Sequence, residues 1–374
     1  MSDIEEPDRL LDFLHPRESK QLIGHESQTD ALIAALNSNR FPHAWIFSGP
    51  AGIGKATLAY RLTRFILKYP PGSNSVDLSN SPKLDIPQND FVFQQVAAQS
   101  HPGLKVVRRP YDQRTKRVKT EITVNEIRNL HGLFSTTTTD GGWRIAIIDC
   151  ADEMNRNAAN ALLKMLEEPP AKSAIILISH QSGRLLPTIR SRCRMLQFKP
   201  LGEGQVTEIM NQQLPSDIEL GDEDRDTLAR LANGSANKAL QLASGEGLKV
   251  HKNLIDLLDS LPNLSGAKAH ELAERLSRRD SLEEFRFFRQ LLCEWLNMFV
   301  RICTTGQDDH LPKREFDLCQ RLGSGVSLEP WLEVWEKTIK SFEQADIFNL
   351  DKRQLLLTIF FQLETAAKEA QRHS

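Results

Sequence analysis

A chain of 374 residues, 40% hydrophobic and 26% charged, is long enough for two or three domains that each bury a core. Lys and Arg (47) nearly cancel Asp and Glu (49), and the resulting formal charge of −2 excludes a whole-molecule attraction to nucleic acid or anionic membrane, so any DNA contact must be local. The five cysteines, at 150, 193, 293, 303 and 319, form no CxxC pair, no secretory h-region follows the acidic start, and no apolar run approaches the roughly 18 residues of a membrane span; a cytoplasmic protein is expected.

In chain order, Leu22-Ile23-Gly24-His25 leads into an amphipathic helix, and Ala44–Ser48 reads as a short buried strand. The strand runs into Gly49-Pro50-Ala51-Gly52-Ile53-Gly54-Lys55-Ala56-Thr57, and a helix is predicted from about Ala56 to Leu67. Strand, glycine loop and helix in that order make a phosphate-binding loop, in which backbone N–H groups and a lysine surround phosphates and the next hydroxyl holds Mg²⁺. Here the hydroxyl position is Ala56. Thr57 does not replace it cheaply, because one helical step turns a side chain by about 100°.

Tyr69–Asp90, rich in Pro, Ser, Asn and Asp, is read as a loop, part of an insertion over about 70–120. Two β-rich stretches follow within 104–124. Between them lies the main basic cluster, Arg108, Arg109, Arg114, Lys116, Arg117 and Lys119, whose default reading is a solvated hairpin without a stacking platform for single strands. A helix over about 124–134 precedes the apolar strand Trp143–Asp149, and a second helix, with Asn155 as its N-cap, runs to Pro169-Pro170. Asp152-Glu153 are read as acids near that helix start. The strand Ala174–Ile178 ends at Ser179, and a short helix leads to Ser191-Arg192-Cys193. Strands apolar on both faces and alternating with helices argue for a parallel sheet covered on both sides over residues 1–200. Beyond Leu201 only helical periodicity is evident. A small helical lid is expected at 201–245 and a helical collar at 246–374, where the stripe Phe285, Phe287, Phe288, Leu291, Leu292, Trp295, Leu296 and Phe299 reads as core or subunit interface.

Asp149 followed by Asn157-Ala158-Ala159-Asn160-Ala161-Leu162-Leu163-Lys164-Met165-Leu166-Glu167-Glu168-Pro169-Pro170, and then by Pro187-Thr188-Ile189-Arg190-Ser191-Arg192-Cys193, closely resembles the bacterial replication clamp-loader subunits of the AAA+ class. With the phosphate loop and the helical C-terminal third, the likeness spans most of the chain. It implies an α/β AAA+ P-loop module, a lid and a collar. Hydrolysing members end the acidic strand in Asp-Glu, whereas this chain has Asp149-Cys150, and a thiol with a pKa of about 8.5 is a poor carboxylate base. The family's sensor arginine falls on Asn237 in the run Gly234-Ser235-Ala236-Asn237-Lys238.

Metal hydroxyl, base and sensor are thus all replaced, a pattern that resembles the non-hydrolysing, delta-prime-type members. The resemblance then implies Arg192 as a finger acting in trans on a neighbour's ATP, against the plainer reading of an arginine satisfied by a local carboxylate. It implies a degenerate nucleotide site of Gly49, Pro50, Gly52, Gly54, Lys55, Thr57, Asp149 and Ser179, either a relic or a weak binder of ATP or ADP. The four-cysteine zinc module of many relatives has no counterpart in the cysteine-free stretch 70–90, so no zinc or other metal is expected. The implied partners are gamma/tau-type ATPase and delta subunits of a DNA polymerase III holoenzyme and, through them, the sliding β clamp and primer–template DNA. The rival readings are an active motor subunit of the same loader and a P-loop protein outside replication.

Overall fold

The computed structural model describes residues 13–38, 41–71, 84–112, 114, 117–135, 142–216, 218–244, 246–278, 280–306, 311, 313–323, 327–348 and 350–372. The chain divides into two compact units, one running up to Gln213 together with Ala232–Lys238, the other comprising Leu214–Leu231 and the residues from Ala239 onward.

The first unit is built on a five-stranded parallel sheet. Its strands are β1 (Ala44–Ser48), β2 (Leu104–Val107), β5 (Arg144–Ile148), β6 (Ser173–Ser179) and β7 (Arg194–Gln197), in the spatial order β2-β5-β6-β1-β7. A separate two-stranded ribbon pairs β3 (Tyr111–Asp112) with β4 (Arg117–Val118). All seven residues of β6 and all five of β1 are buried, as strands covered on both faces must be. Alternate residues feed two different cores. Trp45, Phe47, Ile145, Ile147, Ile176 and Ile178 pack with α1 (Glu26–Asn37), α2 (Lys55–Lys68) and α3 (Phe91–Ala97). Ile46, Ala146, Ile148, Ile175 and Leu177 pack with α4 (Val124–Ser135) and α5 (Arg156–Glu167). This is the α/β P-loop module expected from the sequence.

Local signals set most boundaries. The Asn155 side chain caps α5 by accepting the Ala158 N–H at 3.0 Å, and α5 then buries Ala158, Ala159, Leu162, Met165 and Leu166 on one face. Two elements interrupt the stretch read as insertion. One is α3, capped by Asp90, which accepts the Val92 N–H at 2.9 Å; the other is β2, an edge strand of the main sheet. Lys116 and most of the Pro/Ser/Asn-rich run, 72–83, lie outside the described residues.

The second unit is helical among its described residues. The long helix α12 (Leu282–Thr305) buries Phe285, Phe288, Leu291, Leu292, Trp295, Leu296, Phe299 and Ile302, whereas Phe287 is half-buried. Its aromatic face meets α14 (Glu329–Phe348) through Phe285–Phe342 and Phe299–Trp331 and meets α15 (Lys352–Arg372) through Phe288–Phe360, with ring centroids 4.7–6.1 Å apart. The apolar stripe is core of this unit. Among the described residues no helix is long and apolar enough to cross a membrane.

Candidate functional site

The sheet order makes β1 and β6 neighbours, with Ser48 opposite Ser179, and their C-terminal ends open on the side of the sheet where ligands usually bind in an open α/β fold. The glycine loop starts there, with the Gly49 N–H donating to the Ser179 carbonyl at 3.3 Å. Gly52 and Gly54 take left-handed backbone at φ 74° and 103°, and α2 begins immediately after at Lys55. The Lys55 ammonium is buried and turns back on its own loop, donating to the Gly49 carbonyl at 2.6 Å and to the Pro50 carbonyl. Burial pulls its pKa down to about 8, against the opposing pull of Asp149, Cys150 and Asp152. The Ser179 hydroxyl is buried and has no hydrogen-bond partner among the described residues. Thr57 is half-buried on α2, one position past Ala56.

Residues 235–237 press on the loop from outside. The Asn237 N–H donates to the Gly52 carbonyl at 3.3 Å, and a Cβ on Gly52 would collide with Ser235 Oγ and sit 2.7 Å from Asn237 Cβ. On the other side His25, at φ 63° before α1, places Nε2 at 2.6 Å from the Ile53 carbonyl and its ring against Phe198. Burial lowers the His25 pKa, which favours the neutral ring with Nε2–H as donor to that carbonyl.

The acidic side of the crevice differs from expectation. Register pairs Val107 of β2 with Ile148 of β5, so Arg108 and Asp149 emerge side by side just past the two strand ends. Arg108 Nε lies 3.8 Å from Asp149 Oδ2, and both side chains are close to nine-tenths buried. The same guanidinium donates to the Tyr60 hydroxyl at 2.8 Å and lies 3.3 Å from His15 Nε2. Burial pushes the Tyr60 phenol up to about 12. Arg109 pairs with Glu153 at 2.9 Å. The solvated-hairpin reading is therefore wrong for Arg108 and Arg109, which are drawn in by carboxylates just beyond the end of β5.

The reading of Asp152-Glu153 as charge at a helix start is also corrected. Asp152 accepts the His180 N–H at 3.0 Å and the Gln181 N–H at 3.2 Å, bracing the exit of β6, while Asn155 caps α5. Cys150, which the sequence places right after Asp149, is buried and held at φ 57°.

These residues do not fit the Mg²⁺ that a working phosphate loop carries. Ala56 offers no oxygen, a guanidinium faces Asp149, and among the described residues no group of three or more His, Cys, Asp or Glu side chains could hold a metal.

Arg192 stands apart from the crevice. It follows α6 (Pro187–Arg190), donates to the Thr188 carbonyl at 3.0 Å and pairs with Glu167 at 2.9 Å, with 37% of its side chain still exposed. Cys193 beside it is half-buried, and burial pushes its thiol up to about 12.

Residues 24–202 match the family model described as DNA polymerase III, delta subunit. The match supports a clamp-loader subunit of the delta-prime type. It is similar to DNA polymerase III subunit delta' of Pseudomonas aeruginosa, 34% identical over 209 residues that make up 55% of this chain and 57% of that one. It is also similar to subunit delta' of Bacillus subtilis, 31% identical over 182 residues, 49% and 50% of the two chains. DNA polymerase III subunit gamma of Buchnera aphidicola is 26% identical over 253 residues, 66% and 65% of the two chains. The chain thus spans between half and two thirds of the length of these curated relatives. In space it aligns loosely with a gamma subunit-related protein of Thermotoga maritima, at TM-score 0.44 and 17% identity over 91% of this chain and 99% of that one.

Sequence reasoning singled out the glycine loop, Asp149, Ser179 and Arg192, and the fold brings the first three together. It missed His25, Tyr60 and the inward turn of Arg108. Only the position of Arg108, just after a β-rich stretch, hinted at a place beside a neighbouring strand end, and the surrounding run of charge concealed it.

Proposed function

We propose that this chain is a non-hydrolysing clamp-loader subunit that helps to place the sliding β clamp on primed DNA and supplies Arg192 in trans to the ATP site of a neighbouring gamma/tau-type subunit. Its other neighbour would be a delta-type subunit, its place the cytoplasm, and its parts an α/β module (1–200), a lid (201–245) and a helical collar (246–374).

The observation that carries the reading is the contrast between the two sites. In its own crevice the hydroxyl, the base and the sensor arginine are replaced by Ala56, Cys150 and Asn237, whereas Arg192 presents a half-exposed guanidinium away from that crevice. The Glu167 pair orients Arg192 without committing it, because ion pairs at such exposure are worth only about 0–1 kcal/mol. A neighbour's γ-phosphate can therefore displace the carboxylate at small cost. A planar guanidinium suits charge that develops in phosphoryl transfer, and fingers of this kind are worth roughly 10³ to 10⁵ where one site limits the rate.

The experiment is Arg192→Ala in a loader reconstituted with the gamma/tau, delta and clamp partners of the same cell. The variant should assemble like the parent, while clamp- and DNA-stimulated ATP hydrolysis and clamp loading fall by less than a lone finger's worth, since the other sites keep their own. Arg192→Lys should restore little. Normal assembly with loading at the parental rate would return Arg192 to a structural role.

A further inference from the structure

We propose that Arg108 is a built-in counter-cation that takes the place of a divalent metal at Asp149. The inference is independent of the trans-finger reading and concerns why the crevice keeps its acid at all. A carboxylate at the end of a buried strand is costly unless something positive faces it. In a metal-binding P-loop that role falls to Mg²⁺, held jointly by the loop hydroxyl and the acid. Here Ala56 has removed one of those ligands, and two cations of the chain itself face the acid that remains.

The first is Lys55, whose ionisation Asp149 favours. The second is Arg108, delivered by the β2–β5 register to 3.8 Å from the carboxylate. Its position is set from three sides: Asp149 just past β5, the Tyr60 hydroxyl on α2, and His15 in the segment before α1, whose ring also meets Tyr60 edge-on at 6.0 Å. A guanidinium cannot be deprotonated at physiological pH, so it balances the charge permanently. It also occupies space and field that a second cation would need. Restoring the loop hydroxyl would then leave the crevice closed to metal.

The test is a double-mutant cycle on the full chain with Arg108→Met and Asp149→Asn, read as thermal midpoints in buffer containing chelator. Each single substitution removes one member of a buried ion pair, and each should lower the midpoint by on the order of 10 °C. The double variant should melt well above the sum of the two losses, because neither charge remains. If Arg108→Met is too unstable to purify but the double variant folds, the buried Asp149 charge is the cause, and the inference holds. Losses that add within about 1 °C overturn it, since Arg108 would then act only through Tyr60 and His15.

A second readout uses Mn²⁺ alone, followed by electron paramagnetic resonance on Ala56→Ser. No Mn²⁺ should bind at this crevice with Arg108 in place. Binding by Ala56→Ser that Asp149→Asn abolishes would overturn the inference. Both readouts concern this chain by itself, so failure of the finger assignment leaves them unaffected.

Discussion

Gly52→Ala tests whether the glycine loop now serves as a structural corner. Gly52 sits at φ 74°, where a Cβ costs roughly 1–2 kcal/mol. The added carbon would also collide with Ser235 Oγ and crowd Asn237 Cβ at 2.7 Å, and forcing atoms into packed space costs about 1–3 kcal/mol more. The sum, roughly 2–5 kcal/mol, corresponds to a midpoint lower by about 4–20 °C for an α/β unit of this size. Scanning calorimetry without nucleotide is the assay. Ser235→Gly in the same chain should recover part of the loss, because the nearest obstacle is a side-chain oxygen, but the backbone cost and the Asn237 contact remain. If Gly52→Ala melts within about 1 °C of the parent, residues 235–237 do not brace the loop, and the glycine would be explained by phosphate approach alone.

The folded pKa of Lys55, about 8 against 10.5 for an unperturbed lysine, means that the unfolded chain binds the extra proton between those values, so this group's contribution to stability rises with pH from about 8 to 10.5. Urea midpoints of the parent and Lys55→Met should therefore diverge in the parent's favour across that window, and parallel pH profiles would count against the buried-ammonium picture. Asn155→Ala should cost α5 about 1 kcal/mol through loss of the cap on the Ala158 N–H, read as a lower urea midpoint at unchanged slope, whereas Asn155→Asp should cost little. The purified chain and its Ala56→Ser variant should both show negligible ATP turnover, since Cys150 and Asn237 still replace the base and the sensor; magnesium-dependent hydrolysis that Lys55→Ala abolishes would refute the non-hydrolysing reading.

How much could be read without the fold follows from the range of each interaction. The strand, glycine turn and α2, the Asn155 cap and the apolar faces of α5 and α12 are written within a few to about twenty neighbouring residues, so spacing and residue type alone located them. The proposed loss of hydrolytic groups rests on identities alone, Ala56, Cys150 and Asn237 at positions that the family resemblance aligns. Helix α3 could have been found too: Asp90 is a cap residue before Phe91, but it follows a Pro/Ser/Asn-rich run that draws attention away.

The partnerships that decide what the crevice can hold were not legible. Arg108 meets Asp149 because β2 lies beside β5, Asp152 braces His180 because β5 lies beside β6, and Asn237 reaches Gly52 because the chain returns to the loop after β7. Strand order follows from how the whole sheet buries its two faces, a balance summed over the entire unit, and no local propensity carries it. A run of arginines looks the same whether it faces water or a buried carboxylate, until the sheet places the carboxylate beside it.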